Sequence, residues 1–288
     1  MGKARKVLAL MLALVLVVAM FAVGGCSAKD DTATDTGSDA RVITSTADLV
    51  EGDKVAVQSG TTGEAWATEN LEPNGVEVVP YDDILLAFSA LQAGDVIGVI
   101  NDLPISQDVV KDEARGLEIV EEIKTDETYG FAFSKSNTSL RDAVNWGLAQ
   151  VIASGEYATI YETWFGGAPM SMPAATSNAV KPAAAPTTGA AGKIVVGSDT
   201  AFPPFENVEN GTTVGFDVDL MNAIGKELGL NVEFKTYKFD ALITGVQAGS
   251  EFDMVASAMT ITEERKQSID FSDPYINSNQ SLAIKKAE

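Results

Sequence analysis

Residues 193–258 read KIVVGSDTAFPPFENVENGTTVGFDVDLMNAIGKELGLNVEFKTYKFDALITGVQAGSEFDMVASA, and the succession of periods in this stretch fixes the fold class. Residues 193–197 (KIVVG) are a β-branched run, and 217–230 place Leu220, Met221, Ile224 and Leu228 on one helical stripe. Residues 231–237 alternate as a strand, 239–249 return to helix, and 253–258 form a short apolar strand. The first half of the chain repeats the scheme. Strands are expected at 54–57, 76–79 and 96–100, with helices at 61–71 and 84–94. Strands separated by helical patterns of about 10–15 residues imply parallel sheets with right-handed crossovers. In each half a helix ends on Gln-Ala-Gly (Gly94 and Gly249) ahead of an apolar strand, as a glycine C-terminal cap requires. The expectation is two similar α/β lobes. Ligands of such sheets lie at the carboxyl ends of strands, here the loops after Val57, Ile100, Gly197 and Ala258.

Composition narrows the chemistry. The 288 residues hold 20 Lys+Arg, 41 Asp+Glu, no histidine and one cysteine, for a net charge of −21. Without histidine there is no Ser-His-Asp or Cys-His catalysis and no His-ligated metal, and one cysteine builds neither an intramolecular disulfide nor a Cys-cluster metal site. No metal or cofactor is expected. Phosphates would be repelled, so nucleic acid is not an expected partner. Metal-free acid–base chemistry on carboxylate, Lys or Tyr side chains stays open.

The N-terminal stretch reads as an address. Lys3, Arg5 and Lys6 precede an uninterrupted apolar run at 7–23, which with those flanks is a signal peptide (1–25) rather than a spanning helix. Val23-Gly24-Gly25-Cys26 resembles the bacterial lipobox, in which the cysteine carries diacylglycerol; the alternative is a chance cysteine after an ordinary signal peptide. Cleavage before Cys26 removes three basic and no acidic residues, leaving a more acidic chain held to the outer face of a membrane by its lipid. Residues 26–40 lack bulky apolar side chains and read as a disordered tether. Residues 168–192 (APMSMPAATSNAVKPAAAPTTGAAG) read as a linker whose ends, as a flexible coil, would sit roughly 25–30 Å apart.

Several stretches resemble the extracellular solute-binding proteins of ABC transporters, in the group that binds polar amino acids. They are 198–205 (SDTAFPPF), 214–220 (VGFDVDL), 260–265 (TITEER), 269–275 (IDFSDPY), 57–62 (VQSGTT), 101–104 (NDLP) and the run from GEY at 155–157 to WFG at 164–166. The resemblance implies a two-lobed periplasmic-binding-protein fold of type II, with mostly parallel sheets joined by a hinge. The order is inverted relative to the family: the part that normally comes first lies here at 193–288 and the part that follows it at 41–166. The sequence therefore looks like a circular permutant. The expected organisation is a small lobe at 41–131, a hinge strand and terminal helices at 132–167 packing on the large lobe, and the large lobe itself at 193–288. Only 128–135 (TYGFAFSK) would cross the hinge covalently.

A free amino acid presents a carboxylate, an ammonium and a side chain, and the resemblance implies a partner for each. Arg265 offers a bidentate fork to the carboxylate, with Thr260, the backbone around Ala258, and Gly60, Thr61 and Thr62 at a helix start in the opposite lobe. Arg265 as a surface arginine paired to a glutamate, and the threonines as plain helix caps, are the competing readings. Asp102 would take the ammonium, or merely cap the helix opened by Pro104; Ser257 would add an acceptor. Phe202 and Phe239, with Phe205 nearby, would wall the side chain, and Asp199 with Gln58 would meet its distal end. That subsite favours glutamine, arginine or lysine over glutamate or aspartate. Trp66, Trp146 and Trp164 read as packing residues.

The expected function is thus the lipid-anchored binding component of an ABC importer for polar or basic L-amino acids. It would act as a monomer by hinge closure, with the permease as partner and without catalysis. Two alternatives stand beside it: a dehydratase of the cyclohexadienyl type on the same fold, for which the small lobe's loops offer only Glu64 as an acid, and a ligand-sensing lipoprotein without a transporter.

Overall fold

The computed structural model describes residues 41–169 and 172–287. The signal peptide, Cys26 and the tether lie outside the described residues. Among the described residues no helix is long and apolar enough to cross a membrane.

The chain opens with β1 (Lys54–Gln58), α1 (Thr62–Asn70), β2 (Glu77–Tyr81), α2 (Ile84–Ala93), β3 (Gly98–Asp102), α3 (Leu103–Val110) and β4 (Leu117–Tyr129). It continues through β5 (Ala132–Ser134), α4 (Thr138–Ser154) and α5 (Glu156–Phe165). After the linker come β6 (Lys193–Ser198), β7 (Ala201–Phe202), β8 (Glu206–Glu209), β9 (Thr212–Val214), α6 (Phe216–Leu228), β10 (Asn231–Thr236) and α7 (Phe239–Ala248). The last elements are β11 (Met254–Val255), α8 (Glu263–Lys266), β12 (Ile269–Phe271) and β13 (Ile276–Lys285).

Two five-stranded sheets result, ordered β2-β1-β3-β13-β4 and β10-β6-β11-β5-β12, with β7-β8-β9 as a small antiparallel sheet. In each large sheet the βα units expected from sequence run parallel, β2 and β3 flanking β1, and β10 and β11 flanking β6. Gly94 and Gly249 end α2 and α7 in the left-handed region, at φ 84° and 62°, where a side chain would strain the backbone. Val55, Ala56 and Val57 of β1 are fully buried, each valine contributing about 1.5–3 kcal/mol by removal from water.

The expected boundary at 193–288 needs correction. β13 pairs antiparallel with β3 and β4, so the C-terminal strand belongs to the sheet of the small lobe. The hinge therefore has two covalent crossings, not one: Gly130-Phe131 between β4 and β5, and 272–275 between β12 and β13. They run side by side. Tyr275 donates its amide to the Tyr129 carbonyl (2.9 Å), Ser272 to the Phe131 carbonyl (2.8 Å), and the Phe131 and Tyr275 rings stack at 4.5 Å.

Helices α4 and α5 lie against α6. Gly147 lets α4 approach so closely that a Cβ there would sit 2.8 Å from Ile224 Cγ2. Tyr157 on α5 donates to the Tyr275 carbonyl at 2.7 Å, which ties this helix pair to the crossing segment.

Among its described residues the linker has no helix or extended strand, but it is no free coil. Thr176 and Ser177 donate to both carboxylate oxygens of Asp273 at 2.6–2.9 Å, Lys181 sits 5.5 Å over the Trp146 ring, and the Gly189 amide bonds Asp253 at 2.6 Å. Short polar side chains, which give a linker its solubility, here find the carboxylate of Asp273 in the second crossing.

Candidate ligand-binding site

The sheets aim their carboxyl ends at one another. At the end of β1, Gln58 is 2% exposed and its Nε2 donates to Asp199 at the end of β6, in the opposite lobe, at 2.6 Å. Gly60, at φ 77°, turns the chain into α1, and Thr61 caps that helix by accepting the Glu64 amide at 3.1 Å. Thr61 is thus the cap its competing reading described. Thr62 is not: its hydroxyl donates to Glu127 Oε2 at 3.0 Å.

Asp102 starts α3 but makes no side-chain cap bond. Its buried carboxylate turns inward to accept from the Tyr129 hydroxyl and the Gln280 carboxamide. Burial, then the nearby Glu127 charge, push its pKa up to about 7.

Arg265 is 8% exposed, which removes the surface-arginine reading. Thr262 caps the short α8 and accepts the Arg265 amide at 3.1 Å, so the side chain points back along the Thr260 strand end. Its guanidinium donates to the Thr260 carbonyl (2.8 Å) and, across the cleft, to the Gly60 carbonyl (3.0 Å), and lies 5.5 Å over the partly exposed Phe239 ring. Among the described residues it forms no salt bridge. Burial lowers its pKa, opposed by the charges of Asp102 and Glu127.

An unbroken chain of hydrogen bonds joins these groups. Arg265 bonds the Thr260 carbonyl, the Thr260 hydroxyl donates to Glu127 at 2.6 Å, and the Gln280 carboxamide donates to both Glu127 (3.0 Å) and Asp102. The guanidinium and the Asp102 carboxylate therefore belong to one buried site spanning both lobes.

Two nominated residues are placed otherwise. Phe205 is fully buried among Tyr129, Phe165 and Phe216, so it is a core residue and not a wall of the cleft. Ser257 turns its hydroxyl away from the cleft, accepting the Asp199 amide (3.0 Å) and donating to Glu206 (2.9 Å). It spends its one donor on Glu206 and one lone pair on the Asp199 amide, and so positions the loop. Phe202, 7% exposed, lies 6.5 Å from the Phe205 ring, and burial raises the Asp199 pKa to about 6. Ala258 is a third correction: it holds a left-handed φ of 42°, and its amide, nominated for the ligand's carboxylate, donates to Asp217 at 3.0 Å instead.

Sequence reading missed Glu127, Gln280 and Tyr129, as well as Glu206 and Asp217 beneath the site. Glu206 and Asp217 are fully buried, each with one carboxylate oxygen lacking a partner among the described residues. Burial raises both pKa values, and the Asp217 charge raises that of Glu206 further. Asp199, Tyr157 and Tyr275 face the pair and none is a cation. The folded chain therefore holds a proton that the unfolded chain releases above about pH 4. Unfolded carboxyls bind fewer protons in that window, so stability falls as pH rises from about 4 through 7. Glu206→Gln removes one of the competing charges. Its thermal midpoint at pH 8 is expected to exceed that of wild type, with a flatter decline between pH 5 and 8 in calorimetry.

The profile of the bacterial extracellular solute-binding proteins, family 3, matches residues 29–167 and 194–288. A probable histidine-binding protein of Neisseria gonorrhoeae is 42% identical over 109 residues, which are 38% of this chain and 40% of that protein. The arginine-binding extracellular protein ArtP of Bacillus subtilis (strain 168) is 39% identical over 94 residues, 33% of this chain and 36% of that protein. A solved ancestral arginine-binding protein bound to arginine is 53% identical, covers 30% of this chain and 38% of its own, and has a TM-score of 0.29. The chain thus spans at most about 40% of the length of these relatives.

Proposed function

The chain belongs to the bacterial extracellular solute-binding proteins, family 3, and from that premise we propose that it captures a free polar or basic L-amino acid outside the cell for an ABC importer. The observation that carries this reading is the buried guanidinium of Arg265, whose bonds go to neutral carbonyls, in one hydrogen-bond chain with the buried Asp102 carboxylate. A zwitterion supplies an anion for the first and a cation for the second. At the other end of the cleft Asp199 and Gln58 offer an acceptor and an amide, which suits arginine, lysine or glutamine and repels an acidic side chain. The arginine- and histidine-binding names of relatives agree with a polar ligand.

The ligand would bridge residues of both lobes and stabilise their closed arrangement by differential affinity, with the two crossing segments as hinge. Cys26 would anchor the chain by its lipid, and the closed monomer would dock on the permease. The order of the halves would be a circular permutation, with residues 168–192 joining the older ends; the two stretches matched by the family profile flank this linker. Glu64, the acid named for the dehydratase reading, is engaged by the Gly60 amide at 2.6 Å, while Glu127 brings another glutamate into the cleft; incubation with a cyclohexadienyl acid separates turnover from binding.

A thermal-shift screen of the twenty amino acids tests this. A ligand at about 1,000 times its Kd stabilises by roughly 4 kcal/mol, or about 10 °C here. Arginine, lysine or glutamine is expected to give that shift. Tight glutamate binding with no response to those three would reject the reading.

A further inference from the structure

Glu127, on the last turn of β4 before the hinge, carries no role in the reading above, yet it is 8% exposed at the centre of the site. Its Oε2 accepts from Thr62 in the small lobe (3.0 Å) and Thr260 in the large lobe (2.6 Å), and its Oε1 accepts from Gln280 (3.0 Å). Gln280 gives the same Nε2 to Asp102, so one neutral carboxamide separates two buried carboxylates. The neighbouring cation, Arg265, spends its hydrogen bonds on carbonyls. Like charges held this close lower their energy by sharing a cation, and an ammonium has three donors to divide between them.

We propose that Glu127 is a specificity-determining residue of the ammonium subsite, acting with Asp102 to select ligands bearing a positive charge at their α-carbon. Because the same carboxylate bonds hydroxyls from both lobes, it couples ammonium recognition to closure. This inference rests on the amino-acid reading of the site.

The test is isothermal titration of the full chain, its Glu127→Gln variant and its Glu127→Asp variant with L-arginine and with the 2-hydroxy analogue of arginine, which lacks the ammonium. Glu127→Gln keeps the shape and an oxygen for the two hydroxyls but removes the charge. L-arginine is expected to bind it about tenfold more weakly, while the hydroxy analogue changes by less than about threefold. Glu127→Asp, which keeps the charge, is expected to retain most of the preference for the amine. Equal losses for both ligands would make Glu127 a latch only. Tighter L-arginine binding would make it a competitor for the ligand's carboxylate. Either result overturns the proposal. A wild-type chain that ignores L-arginine while binding another amino acid selectively in a Glu127-independent way also overturns it and leaves the amino-acid reading standing. Binding of no amino acid at all defeats both.

Discussion

Arg265→Ala is expected to weaken amino-acid binding by about 100-fold or more, or about 3–5 kcal/mol, the range for removing one partner from a buried ion pair. The ligand's carboxylate would enter a site already holding the carboxylates of Asp102 and Glu127, with no neighbouring guanidinium to offset them. The Gly60 carbonyl would also lose its donor from the opposite lobe, removing a contact that exists only when the lobes meet. Arg265→Lys is expected to recover a small part of the loss, because a point charge on a flexible stem does not bond two carbonyls and a carboxylate in fixed directions. Calorimetric titration reads the result. An unchanged affinity in Arg265→Ala would remove the guanidinium from the site.

Asp102→Asn is the second large effect. The ammonium would lose its anionic partner, and an affinity loss of about 100-fold is expected from an uncompensated buried charge. The wild type also carries a pH signature. The Asp102 carboxyl is raised to about 7 by burial and by Glu127, while the Tyr129 hydroxyl and Gln280 carboxamide that bond it, and the Arg265 charge, pull the other way. Only the carboxylate attracts an ammonium. Below pH 7 the acid form dominates in the ligand-free site, so binding costs a deprotonation and affinity falls by up to about tenfold per pH unit. Affinity should therefore rise from pH 5.5 to 7 and level off by pH 8. In Asp102→Asn the slope near pH 7 should disappear, leaving the fall at lower pH that Asp199, raised to about 6, contributes with a cationic side chain. A flat wild-type profile across this range would contradict the placement of Asp102 against the ammonium.

The parallel βα units were legible because each is local: a β-branched run, a helical stripe and a terminal glycine lie within one stretch of chain. β13 was not. The resemblance alone marks 281–286 (SLAIKK) as a strand crossing between lobes; its partners, residues 99–102 and 117–129, are more than 140 positions away, and no local pattern names them. β4 was hidden by its composition, since LEIVEEIKTDETY alternates weakly and one of its glutamates points into the site. The linker composition reads as a flexible coil and gives no sign that Thr176 and Ser177 would find Asp273.

For the site, Arg265 and Asp102 were nominated through the family resemblance, within TITEER and NDLP; they lie on α8 and at the last position of β3. Ser257 and Phe205 lie beside loops at strand ends, and a single backbone direction decides whether a side chain faces the cleft or the core. Glu127 and Gln280 looked like ordinary polar strand residues. In β13 residues 277–281 (NSNQS) are all polar, which reads as an exposed segment, yet Ser278, Gln280 and Ser281 are buried.

A crystal structure of the full chain grown with L-arginine would settle how the two lobes use these groups. The expected result is ligand density between the lobes, its carboxylate on the Arg265 guanidinium and its ammonium within hydrogen-bond distance of Asp102. Arginine bound elsewhere, or Arg265 and Asp102 facing separate solvent regions with the ligand on neither, would contradict it.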